Sequence, residues 1–336
     1  MTTGPRFTDL AASLPASVPF VGPEAQERAR GRPFKARIGA NESIFGPSPK
    51  AISAMADAAK GAWMYGDPES FDLRTALARE HEIPSENIML GEGIDALLGY
   101  LVRLVAGPGD NVVTSDGAYP TFNYHVAGYG ANLAKVSYRN DDHEDPAALI
   151  EKAAQVDAKL IYFANPDNPM GTWHGAKVVQ DMINAVPDGS LLVLDEAYIE
   201  MAPQGTAPPL DTSDRRVIRM RTFSKAYGLA GMRVGYAIGH ADIVSAFNKV
   251  RNHFAMNRVA QAGALAALLD HEYLAQTLSN VDASRKEITV IAVENGLTPI
   301  PSATNFVTVD CGQDGAFAQN VLQELTARDV FVRMPF

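Results

Sequence analysis

The chain has 336 residues, 46% of them hydrophobic and 20% charged, a composition typical of a globular protein long enough for more than one lobe. Its 29 basic and 39 acidic residues give a net charge of -10. Because no basic stripe or arm stands out, this balance argues against nucleic-acid binding. The only cysteine, Cys311, excludes an internal disulfide and favours a reducing compartment.

The first forty residues are weakly periodic and contain several prolines and arginines, which predicts an arm laid over another part of the molecule. They lack the sustained apolar stretch of a secretory signal. The longest apolar stretch, 94–106, is interrupted by Asp95 and Arg103 and is too short to cross a bilayer. We therefore expect a cytoplasmic protein without a membrane partner.

From residue 51 onward, helical patterns alternate with short apolar runs. The segments "FDLRTALAREHE" and "IDALLGYLVRLVAG" predict helices. Five runs predict strands: "NVVTS", "AKLIYFA", "SLLVLD", "RVIRMRT" and "RVGYAIG". Strands that are apolar throughout and separated by helices are typical of a parallel sheet covered on both faces. The middle of the chain is therefore predicted to be an α/β domain.

The pattern changes after Gly239. Two long helices are predicted, "ADIVSAFNKVRNHF" and the whole of 258–296, followed by a strand "NFVTVDC" and a helix "AQNVLQELTARD". We expect an N-terminal arm at 1–44 that packs with a small domain, a large domain at 45–245, and a linker helix with the small domain at 246–336.

Ligands of open α/β sheets bind beyond the carboxyl ends of the strands, and the first such position is "GEGIDA". Gly91 and Gly93 permit a tight turn, and the free N–H groups of the helix that follows favour an anion. With Ala96 they also fit G-x-G-x-x-A, and Asp110 or Asp116 would supply the ribose-binding acid of a dinucleotide site. An anion site, a dinucleotide site and a plain turn all remain open here.

Two further strand ends carry polar side chains. Asn168 projects from "NPDNPMG", a turn stiffened by two prolines, although these residues are ordinary turn formers. Asp195 ends an apolar strand, where a carboxylate is costly without a partner; a helix N-cap is the alternative. Tyr198 follows three residues later and could reach the same ligand.

The fourth strand end is "RTFSKAYGLAGMRVGY", which has no acidic residue. Ser224 and Lys225 leave the strand among apolar neighbours. A lysine shielded from water has a lowered pKa and becomes a usable amine nucleophile and base, whereas a solvated loop cation is the alternative. The nucleophile hypothesis calls for an aldehyde.

Seven segments together resemble the fold-type I pyridoxal-phosphate (PLP)-dependent aminotransferases of class I/II, among them the histidinol-phosphate aminotransferase group. They occur in the family's order from residue 40 to 236: "ANESIFGPSP", "YGDPES", "GEGIDAL", "AYPTF", "NPDNPMG", "VLDEAY" and "TFSKAYGLAGMRVGY". The resemblance implies an aspartate-aminotransferase-like α/β fold, with a large PLP-binding domain around a mostly parallel sheet and a smaller α+β domain.

The resemblance also implies roles for the residues at the strand ends. Lys225 would hold PLP as a Schiff base and shuttle a proton at the substrate Cα. Asp195 would pair with the pyridine nitrogen, so that the ring acts as an electron sink. Tyr198 and Asn168 would hydrogen-bond the phenolic oxygen, and Tyr119 would stack on the ring.

For the cofactor phosphate, the resemblance implies contacts from the start of the "GEGIDA" helix and two side chains, namely Gly93, Ile94, Asp95, Ser224 and Arg233. Tyr65 would reach the phosphate of a neighbouring subunit, which implies a homodimer. No metal is expected.

For the substrate, the resemblance implies contacts from Arg333, Asn41 and Asn305. A second arginine that clamps the substrate carboxylate is expected beyond Phe336. Either a further segment carries it there, which we favour, or the carboxylate is held differently. Phe20, Tyr65 and Phe122 could instead form a pocket for an aromatic amino acid.

The implied reaction moves an amino group between histidinol phosphate or an L-amino acid and 2-oxoglutarate, as in histidine biosynthesis. An aromatic amino-acid aminotransferase and a PLP-dependent decarboxylase of the same fold are alternatives. An NAD-dependent oxidoreductase is a remote alternative that depends on "GEGIDA" alone.

Overall fold

The computed structural model describes residues 4–16 and 20–335. Its helices are α1 (Asp9–Ser13), α2 (Pro23–Arg30), α3 (Pro49–Ala59), α4 (Phe71–Glu80), α5 (Ile94–Val105), α6 (Pro120–Gly128), α7 (Pro146–Val156), α8 (Ala176–Asn184), α9 (Ala241–Ala246), α10 (Arg258–Leu268), α11 (His271–Glu294) and α12 (Gly315–Ala327). Its strands are β1 (Ala36–Arg37), β2 (Ile88–Gly91), β3 (Asn111–Ser115), β4 (Asn132–Val136), β5 (Ala158–Ala164), β6 (Leu191–Asp195), β7 (Val217–Thr222), β8 (Gly235–Gly239), β9 (Thr298–Pro299), β10 (Val309–Asp310) and β11 (Val330–Phe331).

Seven strands form the central sheet in the order β2-β8-β7-β6-β5-β3-β4. Strands β4, β3, β5, β6 and β7 all run parallel to their neighbours in this order. Strand β8 runs antiparallel to both β7 and β2. Every residue of β6 is buried, because helices cover both faces of the sheet. The predicted mostly parallel α/β sheet is confirmed.

Side chains alternate between the two faces of the central strands. On one face, Tyr162 of β5 packs with the apolar residues of α5 and α6; on the other, Phe163 packs with α7 and α8. Helix α5 buries Leu97, Leu98 and Leu101, each worth about 1.5–3 kcal/mol relative to exposure. This burial fixes the start of α5 against the carboxyl ends of the strands, where the cavity described below lies.

The C-terminal part differs from the predicted elements. The helix predicted after Gly239 ends at Ala246 and continues only as a 3-10 turn at 247–249. The predicted continuous helix at 258–296 is interrupted at Asp270, whose carboxylate accepts a hydrogen bond from Lys50 Nζ at 2.7 Å. Asp270 has φ -99° and ψ 64°, outside the helical region, and local periodicity does not register a contact with a residue so distant in the chain.

The predicted strand "NFVTVDC" was also too long, because only Val309–Asp310 pairs, with β9. In the preceding segment, Ser302 Oγ donates to the Phe306 carbonyl at 2.5 Å. Such side-chain hydrogen bonds to backbone compete with strand pairing, and they fold this part as an irregular loop.

The N-terminal arm lies along the end of the described chain. Strand β1 pairs in parallel with β11, and Arg30 and Arg32 both form ion pairs with Asp329. The domain boundaries proposed from the sequence stay a prediction. No helix in residues 4–16 and 20–335 is both long and apolar enough to cross a membrane.

Candidate active site

A cavity of about 540 Å³ opens at the carboxyl ends of the central strands, within the usual size range of small-molecule sites. All four polar strand ends contribute to it, because parallel strands end at the same edge of a sheet. The predicted residues that line it are Asn41, Ile94, Asp95, Tyr119, Asn168, Asp195, Tyr198, Ser224, Lys225, Arg233 and Arg333.

Lys225 follows β7 and is partly buried. Its Nζ donates a hydrogen bond to the Asn41 carbonyl at 3.0 Å and lies 5.5 Å from the centroid of the Tyr198 ring. Burial lowers the pKa of Lys225 to about 8, although the nearby Glu42 charge opposes the shift. A lysine with this pKa has an appreciable neutral fraction near neutral pH, as a nucleophilic amine requires.

Asp195 ends β6 with only 6% of its surface exposed. The Ala197 N–H donates to its Oδ1 at 3.0 Å, and the Tyr162 hydroxyl donates to its Oδ2 at 2.6 Å. Burial raises the pKa of Asp195 to about 6, because no cation of the described residues comes close enough to form a salt bridge with it. A protonated ring nitrogen would supply the missing positive charge.

The alternative role of Asp195 as a helix N-cap is wrong, since no α-helix begins near it. Its Oδ1 closes a short turn at Ala197, and only a 3-10 turn at Ile199–Met201 follows.

A candidate anion site lies where Arg233 approaches the start of α5. Gly93 has φ +84° and precedes the first turn of α5, whose N–H groups are free. This φ favours glycine, and a Cβ at Gly93 would lie 2.3 Å from a guanidinium nitrogen of Arg233, so another residue would also displace that side chain. Arg233 itself has φ +55° and donates to Ser224 Oγ at 3.4 Å. A helix N-terminus beside an arginine is well suited to a phosphate.

Three polar side chains line the space between these ends. The Tyr198 hydroxyl accepts from Asn41 Nδ2 at 3.4 Å, and the Tyr119 hydroxyl donates to Asp95 Oδ1 at 2.7 Å. Asn168 is partly buried on the turn after β5.

Three predicted site residues, Gly93, Tyr65 and Asn305, are not among the residues that line the cavity of this chain. Tyr65 is 77% exposed and packs on Phe254, with ring centroids 4.8 Å apart. Asn305 contacts the backbone of two lining residues, because its Nδ2 donates to the Asn41 carbonyl at 3.0 Å and to the Glu42 carbonyl at 3.3 Å.

The predicted aromatic pocket of Phe20, Tyr65 and Phe122 is wrong for this chain. Phe20 does line the cavity, but Phe122 is fully buried and stacks on Tyr162 at 4.5 Å between centroids. Phe122 therefore belongs to the core beneath the site.

The structure adds lining residues that the sequence did not single out, namely Glu42, Tyr162 and Thr222. Tyr162 was hidden because it lies within an apolar run and reads as a core aromatic residue. One signal was available in the sequence. Tyr162 lies two residues before the end of β5, and because a buried Tyr O–H needs a hydrogen-bond partner, its hydroxyl indicated a polar neighbour near the strand end.

The dinucleotide alternative has no support in the geometry. Asp110 accepts from the Gly107 N–H at 2.9 Å, and Asp116 pairs with Lys135 at 2.9 Å. Neither carboxylate lines the cavity, so neither of the two acids predicted to bind a ribose is available there.

The turn after Lys225 needs glycine at position 228. Gly228 has φ +67°, and a Cβ there would lie 2.3 Å from the backbone of Gly46. We expect Gly228→Ala to destabilise the protein by about 1–3 kcal/mol, measured by denaturant unfolding. Gly231→Ala is the matched control, because its Cβ would meet no atom within 4 Å. Equal stability of the two variants would contradict this account of the turn.

Comparison with known proteins gives a family match over most of the chain. The model of the class I and II aminotransferases matches residues 35–334. The chain is 37% identical over 300 residues to histidinol-phosphate aminotransferase 2 of Pseudomonas fluorescens (strain Pf0-1), covering 88% of this chain and 80% of that protein.

Solved structures agree with this match. The crystal structure of histidinol-phosphate aminotransferase from Sinorhizobium meliloti in complex with pyridoxal-5'-phosphate superimposes with a TM-score of 0.96 at 50% identity, covering 100% of this chain and 90% of that one. Aspartate aminotransferase from Thermus thermophilus with maleate superimposes with a TM-score of 0.80 at 21% identity, covering 96% and 90%. This second likeness concerns the fold, which is aspartate-aminotransferase-like as expected.

Proposed function

Because this chain belongs to the class I and II aminotransferases, we propose that it transfers the amino group of histidinol phosphate to 2-oxoglutarate. That it is a PLP-dependent aminotransferase follows from the family and from its likeness to the PLP complex. The observation that supports the substrate is Arg333, which lines the cavity 4.9 Å from the centroid of the Phe20 ring. A guanidinium beside an aromatic ring suits a molecule that carries both a phosphate and a flat imidazole.

The residues present fit PLP. Lys225 would hold its aldehyde and Asp195 its ring nitrogen. Arg233, Ser224 and the start of α5 would hold its phosphate. Two observations support this fit. The Asp195 carboxylate is buried without a cationic partner, and the Arg233 guanidinium comes close to the backbone of Gly93.

When bound, PLP supplies an electron sink for the charge that develops at the substrate Cα. Lys225 would take a proton from the substrate Cα and return one during the reaction, a task that a pKa near the working pH favours. Asp195 would keep the ring nitrogen protonated. Tyr198 and Asn168 would orient the ring from its other edge.

We propose that Arg333 selects the substrate phosphate. Arg333→Ala should lower kcat/KM for histidinol phosphate by about 10–100-fold, because a hydrogen bond to a charged group contributes about 1.5–3 kcal/mol. The value for phenylalanine should stay within about twofold, since that substrate has no phosphate. Arg328→Ala is the control, because Arg328 bonds Glu324 on the exposed face of α12.

The substrate proposal is tested in the same experiment by single-turnover reactions with histidinol phosphate, phenylalanine and tyrosine. We expect kcat/KM for histidinol phosphate to exceed the values for phenylalanine and tyrosine by at least about a hundredfold. Faster reaction with an aromatic amino acid would reject histidinol phosphate and favour the aromatic alternative.

Attachment of PLP should depend on pH through Lys225. Only the neutral amine attacks an aldehyde, so the attachment rate of the apoenzyme should rise about tenfold per pH unit and level off above about 8. Stopped-flow absorbance of the bound cofactor measures this rate. A rate that keeps rising to the ordinary lysine pKa of 10.5 would contradict the proposed lowering.

We propose a homodimer in which Tyr65 of one subunit contacts the phosphate site of the other. An exposed aromatic surface supports it: Trp63 is 83% exposed, Tyr65 77% and Phe254 55%. Such a patch is unusual on a monomer, and sedimentation of the holoenzyme tests the assembly. With one cysteine and no internal disulfide, we propose the cytoplasm as its compartment.

A further inference from the structure

A buried ion pair joins the ends of β6 and β7. Arg221 Nε donates a hydrogen bond to Glu196 Oε2 at 2.8 Å. The Glu196 side chain is only 1% exposed and the Arg221 side chain 12%. The described part of the chain places neither residue in the cavity lining. Any effect of this pair on a molecule bound in the cavity must therefore be indirect.

A second arginine approaches the other oxygen of the same carboxylate. Arg219 Nη1 lies 3.6 Å from Glu196 Oε1 and has no hydrogen-bond partner among the described residues. Arg219 Nη2 donates to the carbonyls of Pro208 and Pro209 at 2.9 and 3.1 Å. Arg219 thus connects Glu196 to the loop before β7, whereas Arg221 makes the direct hydrogen bond between the two strand ends.

A buried aromatic residue flanks the pair. Tyr236 of β8 lies opposite Arg221 in the sheet and is 1% exposed. Its hydroxyl forms a hydrogen bond with His81 Nε2 at 2.9 Å. A charge in such surroundings is costly without a partner, so Glu196 and Arg221 depend on each other.

Stability alone does not explain a buried pair of this kind. Replacing a buried ion pair by apolar side chains of similar volume is often neutral or stabilising, because the cost of desolvation offsets the attraction. The charged pair does favour one arrangement of the two strands, since a shifted pairing would leave each charge buried without its partner. A buried pair between neighbouring strands therefore disfavours a change in their register.

The pleat of the sheet connects this register to the site. Asp195 pairs with Met220 in the parallel ladder, and the Glu196 N–H continues it by donating to the Met220 carbonyl at 2.8 Å. Asp195 and Thr222 both line the cavity. Glu196 and Arg221, their neighbours in sequence, point to the opposite face of the sheet. A shift of one residue would move Asp195 by about 3.3 Å along β7.

Lys225 is connected to the same strand end. Thr222 follows Arg221, and its Oγ1 donates to Ser224 Oγ at 3.0 Å and accepts from the Ser224 N–H at 3.0 Å. Lys225 is the next residue. The end of β7, which the ion pair holds at Arg221, therefore sets where the turn that carries Lys225 begins.

We propose that Glu196 and Arg221 are positioning residues, whose buried ion pair fixes the ends of β6 and β7 relative to each other. The pair thereby sets the separation of Asp195 from Lys225. This inference rests on the proposed PLP site, in which these two side chains hold different ends of one rigid molecule. A misplacement of about 1 Å in such an arrangement costs about a hundredfold in rate.

The experiment separates position from stability with two variants. Arg221→Met leaves the Glu196 carboxylate without its hydrogen-bonded cation, so the thermal unfolding midpoint of the apoenzyme should fall by about 5 °C or more. Glu196→Gln combined with Arg221→Met removes that charge, and the amide oxygen of glutamine can still face Arg219. This double variant should recover at least about half of the fall.

The rate at which PLP attaches to the apoenzyme reports the position of Lys225. Stopped-flow absorbance should show attachment slowed by about 10–100-fold in the single and in the double variant, because neither has the ion pair. The value of kcat should fall by a similar factor, whereas KM for histidinol phosphate should stay within about threefold, since Arg333 is unchanged. A purely structural role predicts instead that attachment recovers together with the midpoint.

Arg215→Met is the matched control. Arg215 forms an ion pair with Asp242 at 2.5 Å, but the two side chains are 65% and 68% exposed, and exposed pairs contribute little. This variant should follow wild type in midpoint, attachment rate and kcat. Attachment at the wild-type rate in the double variant, or recovery of the rate together with the midpoint, would overturn the proposal.

Failure of this inference and failure of the proposed function give different results. If wild type binds no PLP, the cofactor site and this inference are both rejected. If wild type and the double variant attach PLP equally fast, only the inference is rejected. Should a methionine variant not fold, Arg221→Lys replaces it, because lysine keeps the charge but lacks the Nε–H that reaches Glu196. Attachment slowed about tenfold or more in that variant supports the proposal, and an unchanged rate overturns it.

Discussion

Replacing Lys225 with alanine is expected to lower kcat for amino transfer by about 10⁴-fold or more, because the variant loses the amine that both holds the cofactor and moves the proton. Its Nζ lies in the cavity with a pKa lowered by burial to about 8. Alanine leaves that space without a base. Steady-state kinetics with histidinol phosphate and 2-oxoglutarate measure the loss.

Two controls make the Lys225 result specific. Lys225→Arg keeps a positive charge, but a guanidinium does not lose its proton in proteins, so it should not restore activity. Lys249→Ala removes an exposed lysine and should behave as wild type. Mass spectrometry after borohydride reduction should show covalent cofactor in wild type and none in Lys225→Ala. Retained covalent cofactor in that variant would show that another amine holds it.

Replacing Asp195 with asparagine is expected to lower kcat by about 10²–10³-fold, as loss of one preorganised electrostatic partner does in other active sites. Asparagine has nearly the same shape, and its oxygen can still accept from the Ala197 N–H. It has no charge to keep a ring nitrogen protonated. Activity close to wild type would remove Asp195 from the proposed role.

The same substitution should make the apoenzyme more stable. The pKa of Asp195 is raised to about 6 by burial, so its contribution to stability is full below 3.8 and is lost as the pH rises through about 6. At neutral pH the ionised carboxylate therefore costs about 3 kcal/mol, from a shift of about two pKa units at about 1.4 kcal/mol each. Denaturant unfolding of apo Asp195→Asn should recover this amount, and Asp188→Asn, an exposed carboxylate, should recover none.

A loss of activity together with a gain in stability would identify Asp195 as a residue retained for its chemistry. Loss of both would instead indicate that the carboxylate holds the strand end together through Tyr162 and Ala197. The two measurements therefore separate a chemical from a structural role for the same side chain.

The local pattern of apolar residues was sufficient to predict the strands of the central sheet. Strands β5 and β6 were visible as apolar runs because both of their faces are covered, and their order with the helices indicated parallel pairing. Pattern failed at Asp270, where the helical periodicity continues through the break between α10 and α11. At the break, Asp270 pairs with Lys50, a residue over two hundred positions away, and periodicity carries no information about such a partner.

By itself, the sequence determined the family, the cofactor and the strand ends that carry Lys225, Asp195, Asn168 and Arg233. The order of the motifs indicated the family. Because parallel strands end at the same edge of a sheet, these residues lie together at that edge. Only the tertiary structure decided which side chains contact these site residues. Tyr162 donates a hydrogen bond to Asp195, and Phe122 enters the core. The physical reason is that burial and hydrogen-bond partners depend on packing between segments far apart in the chain, whereas motifs and periodicity describe only neighbours along it.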